Sequence, residues 1–546
     1  MGKSRQVSGQ GHDEQVKLED LLRRDHSLNG GMLFGLRGFI VEVQARGVQV
    51  LRKPKPWREA VDISGMAGIA VREAISRISA AFTKYAIPEP RVAIQINLTP
   101  AGLWKQGTWL DLPLAIIMLQ ASGYLPDLPE TVEGDFVLVG EIGLHGEIRR
   151  VPGVLSIADA ARPEQTLIVP AGNERECALI AAKSDRRRCR VAAVSTLEEV
   201  IDFFKGQRKL ENVLREEIRF EPVGDKPLDF GRIKGQKRAK EAAVIAVAGG
   251  HNLLLIGPPG EGKSTLARAM AGIMPRLTAE EKVELTRIYS AAGLLNADGV
   301  VVSYRPFRAV HHTASKQALL GGGAEVIRPG EVTLAHLGIL FLDELPEFRR
   351  DALEALREPV ESGEVTISRA KVTATYPARF TLVAAMNPCP CGYYPGESCT
   401  CNVQKVKSYQ GKISGPLLDR IDMQVEMESL SLEERFSEVT DGQSPRLRQQ
   451  VQAARDRQTR RFAGTSIPYN AAIPAGHIQD FCRFSTAGLE HFKQVVGDSK
   501  ISTRLTDRLA KVALTLADLD GADEIDVPHV DKAASFVVGG REILRK

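Results

Sequence analysis

Between Gly257 and Thr265 the chain sets three glycines and two prolines ahead of a lysine and two hydroxyls. Gly257, Pro258, Pro259, Gly260, Gly262, Lys263, Ser264 and Thr265 form G-x-x-x-x-G-K-[ST] and its next residue. Glycines let consecutive backbone N–H groups curl around a phosphate, lysine reaches the β/γ oxygens, and the Ser264 hydroxyl can hold Mg²⁺. The context fits this chemistry. Leu253–Ile256 reads as a buried strand and Thr265–Ala271 as the start of a helix, so the phosphates meet a helix N-terminus. ATP with Mg²⁺ is the expected cofactor pair.

Three further segments supply groups that phosphoryl transfer needs. Ile339–Leu342 is an apolar run ending in Asp343 and Glu344. Asp343 is placed to join the Mg²⁺ shell and Glu344 to polarise the attacking water. Asn387 ends another apolar run, "FTLVAAMN", where it can orient that water. Arg420 follows a turn in "ISGPLLDRID". Supplied by a neighbouring subunit, it would stabilise charge on the transferring phosphoryl group; a surface ion pair with Asp419 or Asp422 is the other reading. Cys389, Cys391, Cys399 and Cys401 form two C-x-C pairs. They suit four-thiolate Zn²⁺ ligation or a turn-rich loop of reduced thiols, and both readings stay open.

The elements that must carry these groups divide the chain. Residues 1–31 are polar and Gly-rich and read as a disordered extension. Residues 32–205 alternate strand-like runs ("GFIVEVQ", "RVAIQINL", "DFVLVGEIGL", "QTLIVP") with Ala-rich helical ones, an α+β pattern. A charged, turn-rich linker spans 206–228, and an α/β nucleotide unit spans 229–428. Residues 429–546 carry 3.6-residue periodicity and read as a helical C-terminal domain. The fold class is α/β.

Composition narrows the function classes. Hydrophobic residues are 43% and charged residues 26% of 546, ordinary for a globular protein. No apolar run approaches ~18 residues, which argues against a membrane span. The first residues lack an apolar signal core, and seven cysteines, four of them clustered, suit a reducing cytoplasm. The net charge of +4 permits a nucleic-acid partner without demanding one. Local basic groups matter more. Between Lys263 and Asp343 lie Arg305, Arg308, His311, His312, Lys316 and a Gly321–Gly323 run, and a hairpin-like segment around Gly363–Thr375 carries Arg369 and Lys371. Basic, Gly-flanked loops of this kind either grip phosphates or are ordinary solvated loops, and both readings stay open; Arg305, Arg308, Lys316, Arg369 and Lys371 are the candidates for phosphate, and hence DNA, contact.

The order of phosphate loop, "DE" strand, asparagine and arginine resembles an AAA+ ATPase. That resemblance assigns "ISTRLTDRLAKVALTLADL" to the helical lid, with Arg504 as a second catalytic arginine and Arg508 as its fallback. It implies a ring, usually a hexamer. "GGHNLLLIGPPGEGKS", "PFRAVHHTASKQALLGGG", "RPGEVTLAHLGILFLDELPEF", "AAMNPCPCGYY" and "SGPLLDRID" are similar to the bacterial Mg-chelatase-like ComM family, except that Val310 stands where the family usually has proline. By that resemblance the chain is a cytoplasmic homo-hexameric helicase acting on single-stranded and branched DNA, driving branch migration as transforming DNA is integrated. The alternative is a chelatase-like motor remodelling a partner protein or driving metal insertion.

The segments "PRVAIQINLTPAGLWKQGTWLDLPLAIIML" and "VGEIGLHGEIRRVPGVLSIADAA" resemble the Lon protease domain. A Ser–Lys dyad does not follow. The loop offers Thr108, and Leu155 falls near the place of the lysine, so no base activates a hydroxyl. Residues 32–205 are therefore expected to be an inactive Lon-like domain, against a third class, the ATP-dependent proteases.

Overall fold

The computed structural model describes residues 18–126, 136–181, 189–213, 222–223, 228–295, 301–323, 326–369, 372–436, 442–499 and 501–539. Its N-terminal unit is a seven-stranded mixed sheet, ordered Val61–Ser64, Val92–Thr99, Arg37–Val50, Asp25–Phe34, Phe136–Leu138, Thr166–Pro170 and Arg190–Val194. Alternation in "VAIQINLT" puts Val92, Ile94, Ile96 and Leu98 inside. The helix Asp111–Ala121 is buried on every side, as its apolar run from Leu112 to Leu119 demands.

Asp25–Phe34 corrects the expectation for residues 1–31. It is the central strand, pairing antiparallel with Arg37–Val50 and parallel with Phe136–Leu138. Its glycines mark close packing rather than a linker. A Cβ on Gly30 would meet Leu110 at 2.7 Å, and one on Gly31 would meet Ile157 at 2.3 Å. Residues 1–17 lie outside the described residues. The expected linker at 206–228 is described only in part; Leu210 and Val213 pack against the N-terminal core.

The nucleotide unit is a five-stranded parallel sheet. From edge to edge its strands are Phe307–Val310, Ile339–Leu342, Thr381–Met386, Leu253–Ile256 and Met423–Glu426. The first strand in sequence thus sits between the fourth and the fifth. Leu253 and Leu255 point into one core, and Leu254 and Ile256 into the other, so all four apolar side chains are required. The α/β expectation holds.

The C-terminal residues form helices Gln443–Arg461, Thr486–Asp498, Thr503–Asp520 and Val527–Val537. They share a core with the helix Lys237–Gly249 of the nucleotide unit. The N-terminal unit rests on the helix Ala279–Ala291, where Gly153 N–H donates to the Ser290 carbonyl at 3.1 Å and Arg287 pairs with Asp159 at 2.7 Å.

Candidate nucleotide site and its distant arginines

Leu253–Ile256 delivers the phosphate loop at the carboxyl end of the sheet, beside the strand-order reversal where open α/β sheets bind ligands. Gly260 and Gly262 both take φ of +85°, a left-handed conformation that glycine adopts without strain. The helix Lys263–Ile273 starts there. Lys263 is buried, and its Nζ donates to the carbonyls of Gly257 (2.7 Å) and Pro258 (2.8 Å) and to Asn387 Oδ1 (3.0 Å). Burial holds its pKa below the ordinary lysine value, while Asp343, Glu261 and Glu344 pull the other way.

Ser264 Oγ donates to Asp343 Oδ2 at 2.7 Å, and the other Asp343 oxygen accepts the Glu344 N–H at 3.0 Å. Strand pairing causes this meeting, because Ile339–Leu342 and Leu253–Ile256 both flank Thr381–Met386 in parallel register. A hydroxyl and a carboxylate oxygen in contact form the donor set that Mg²⁺ prefers. Glu344 has φ of +51°, unusual for a non-glycine residue. Its Oε2 lies 3.0 Å from Nδ1 of His312, and the His311 ring stands 4.1 Å from that of His312. Sequence reading grouped His312 with the basic loop. Only the parallel pairing of Phe307–Val310 with Ile339–Leu342 reveals its carboxylate neighbour.

Lys263, Ser264, Asp343, Glu344 and Asn387 thus converge at one end of the sheet, while Arg420 and Arg504 lie at the other. Asn252, one residue before the first strand of this sheet, binds the segment that carries Arg420. Its Nδ2 donates to the Arg420 carbonyl and its N–H to Asp422 Oδ2, each at 2.8 Å. Its Oδ1 accepts the Leu382 N–H at 2.8 Å. Nothing in the spacing of Asn252 signalled this tie. The Arg420 side chain donates to the Pro416 carbonyl at 2.8 Å and pairs with Glu361. It lines one cleft with Arg504, Arg508 and Lys511. Arg504 is exposed, whereas the fallback Arg508 is half-buried and pairs with Asp422 at 3.4 Å. At ~3.3 Å per strand residue, the run from Asn252 to Gly257 separates this cleft from the chain's own phosphate loop by about 16 Å.

The basic candidates divide. Arg305 is almost wholly buried, donates to the carbonyls of Pro275 (2.7 Å) and Leu337 (2.9 Å), and pairs with Glu281 at 2.9 Å. Arg308 holds Glu331 through two contacts of 2.6 and 2.8 Å. Both arginines are thus held by carboxylates of the fold, Arg305 with little surface left for a phosphate and Arg308 about a third exposed; composition alone could not show these partners. Lys316 is exposed at the start of a short helix. The expected hairpin is present, with Glu364–Arg369 antiparallel to Val372–Pro377. Arg369 ends its first strand, and Lys371 lies outside the described residues. Gly321 and Gly322 pair with Pro329 and Arg328 as a small ribbon.

In the N-terminal unit Thr108 Oγ1 donates to Glu141 at 2.7 Å, and Leu155 is buried. Lys105 is buried too, its ammonium donating to the carbonyls of Leu98 and Pro100. No Ser–Lys dyad forms among these groups.

The thiols of Cys389, Cys391, Cys399 and Cys401 all lie within 4.8 Å of one another. Cys389 is buried and accepts the Gly392 N–H at 3.2 Å. Backbone N–H groups of Tyr393 and Thr400 lower the pKa of the Cys391 thiol, while the neighbouring thiols help raise those of Cys399 and Cys401.

Comparison with known proteins matches these units to one family. The family model "Magnesium chelatase, subunit ChlI" matches residues 229–435, "Subunit ChlI of Mg-chelatase" matches 50–173, and the ChlI C-terminal model matches 441–536. The chain is 40% identical to the uncharacterized protein YifB of Salmonella typhimurium over 86% of its own length and 90% of the relative. It is 38% identical to the competence protein ComM of Haemophilus influenzae, covering 86% of this chain and 91% of that one. The magnesium-chelatase 38 kDa subunit of Cereibacter sphaeroides is 26% identical and covers 37% of this chain and 60% of its own. With likeness to ComM over most of both chains and chelatase-type units in sequence, the chain belongs to the ComM/Mg-chelatase-like family, whose nucleotide unit is of the AAA+ ATPase type.

Proposed function

We propose that this chain is one subunit of a cytoplasmic homo-hexameric ATPase that moves along single-stranded and branched DNA and drives branch migration during integration of transforming DNA. The observation that carries the ring is the separation of Arg420 and Arg504 from the phosphate loop of the same chain. An arginine in a cleft at the amino ends of the strands, whether exposed as Arg504 is or paired with Glu361 as Arg420 is, serves a phosphoryl group only when a neighbour's carboxyl-end site docks against it. The complete site then holds ATP on residues 257–265, Mg²⁺ on Ser264 and Asp343, water between Glu344 and Asn387, and Arg420 with Arg504 from the adjoining subunit. Zn²⁺ at the four cysteines is a separate, structural ion.

DNA as the object of the work is supported by likeness to a competence protein over 86% of this chain. The Glu364–Pro377 hairpin and the exposed Lys316 are the surface groups suited to backbone phosphates. The N-terminal unit serves in this reading as a Lon-like scaffold without peptidase chemistry. A chelatase-like role acting on a partner protein is favoured only by the family models, since the chelatase relative covers 37% of the chain.

The test is ATP-dependent dissociation of a labelled four-way DNA junction by the wild type and by Lys263→Ala. Product from the wild type alone is expected. No product from either, with ATPase activity intact and indifferent to DNA, would move the assignment to protein remodelling.

A further inference from the structure

The loop from Pro388 to Asn402 links two parts of the nucleotide site. It begins directly after Asn387, the residue that accepts the Lys263 ammonium. At Gly392 it presses on the phosphate loop, where an added Cβ would stand 2.5 Å from Cδ of Pro259. At its far end Asn402 caps the helix Val403–Gln410, and Gln410 Nε2 returns to the Pro388 carbonyl at 2.9 Å. Apart from Cys389 the loop has little apolar interior, so burial alone gives it little reason to keep one shape.

Its thiols supply one. The Sγ–Sγ separations are 3.3 Å for Cys389–Cys391, 3.8 Å for Cys389–Cys399 and 3.6 Å for Cys391–Cys399. A tetrahedron with Zn–S of ~2.3 Å has edges of ~3.8 Å. A disulfide needs S–S of ~2.05 Å, which none of these pairs approaches. Cys389 and Cys391 accept backbone N–H donors, as ligated thiolates do. Among the described residues these four are the one group of three or more such side chains that could hold a metal ion.

We infer that Cys389, Cys391, Cys399 and Cys401 bind one structural Zn²⁺, and that this ion fixes Gly392 against Pro259 and Asn387 beside Lys263, so that nucleotide binding depends on the metal. Four protein ligands leave no open position, so the ion takes no part in the chemistry. The dependence on the metal rests on the nucleotide site proposed above; the metal site itself does not.

The full-length protein, purified from zinc-replete cells and dialysed, is assayed for metal by mass spectrometry. About one zinc per chain is expected, with four thiols that react with a disulfide reagent only after a chelator has removed it. Cys399→Ser and Cys401→Ser should each lose most of the metal. Where a variant fails to fold, exchange of wild-type zinc for Co²⁺ reads the same site through the visible absorption of tetrahedral cobalt thiolate. Lys263→Ala should keep its zinc while losing ATP, which separates failure of the nucleotide reading from failure of the metal site. Release of zinc should weaken binding of a fluorescent ATP analogue about fivefold or more. Metal-free protein with four freely reactive thiols or two disulfides would overturn the site. Full zinc occupancy with nucleotide affinity and turnover unchanged on its removal would overturn the dependence.

Discussion

His312 Nδ1 stands 3.0 Å from Glu344 Oε2, across neighbouring parallel strands. The contact orients a carboxylate whose own backbone is held at φ +51°, so Glu344 is doubly constrained. A water-polarising base needs that orientation more than the nucleotide does. Glu344→Gln should bind ATP normally and hydrolyse it ~10²–10⁴-fold more slowly. His312→Ala, which removes only the orientation, should lower kcat about tenfold or more and leave KM for ATP in place. His312→Asn, which keeps a hydrogen-bond donor, should recover part of the rate. Equal losses in kcat and KM for His312→Ala would assign it to nucleotide binding instead.

Arg420 and Arg504 share a cleft remote from Lys263, and that geometry makes a mixing experiment decisive. Arg420→Ala chains retain the phosphate loop, and Lys263→Ala chains retain the arginine. Each alone should be inactive, by ~10³–10⁵ in rate for the arginine. In rings mixed in equal parts, about a quarter of the interfaces combine a good loop with a good arginine. Steady-state ATPase of the mixture should therefore rise well above either parent. If the arginine served its own chain, mixing would restore nothing.

The phosphate loop and the "DE" strand were legible in the sequence because their chemistry is local, fixed by the spacing from Gly257 to Ser264 and by acids at the end of an apolar run. The sheet then joined Ser264 to Asp343 as expected. Partners that only the topology brings together stayed hidden. Nothing near Arg305 in the sequence announces Glu281, and nothing near Arg308 announces Glu331, so both were read as free cations. Asn252 belongs to no motif in the sequence, yet it ties Leu382, Arg420 and Asp422 together. Gly30 and Gly31 read as flexible, yet their lack of side chains is what lets Leu110 and Ile157 close on the central strand.

Ser264 and Asp343 touch at 2.7 Å, and each offers oxygen to a hard cation. Ser264→Ala and Asp343→Asn should therefore raise the Mg²⁺ concentration needed for half-maximal turnover rather than abolish nucleotide contact. Lys263→Ala should weaken ATP binding itself, since its ammonium is the cation of the phosphate loop. Titrating Mg²⁺ at saturating ATP separates the two. An unchanged Mg²⁺ requirement in Ser264→Ala would remove that hydroxyl from the metal shell.

His251, just before the strand that feeds the phosphate loop, is buried between the nucleotide unit and the C-terminal helices. Its Nε2 lies 2.8 Å from Thr515 Oγ1 and its Nδ1 3.8 Å from Asp422. Burial, helped by the charges of Lys511 and Arg455, presses its pKa down to about 3. The fold therefore keeps this imidazole neutral, while the unfolded chain takes up a proton below its ordinary value of 6.5. The sign follows from linkage. Its contribution is fully present above 6.5 and is lost progressively as pH falls toward 3, by about 1 kcal/mol between about pH 7.5 and 5.5. His251→Gln can keep the bond to Thr515 and does not titrate. Thermal unfolding of both proteins at the two pH values should give a smaller acid-induced drop in Tm for the variant. An equal drop would mean that the imidazole is already charged in the folded protein, with Asp422 as its counter-ion.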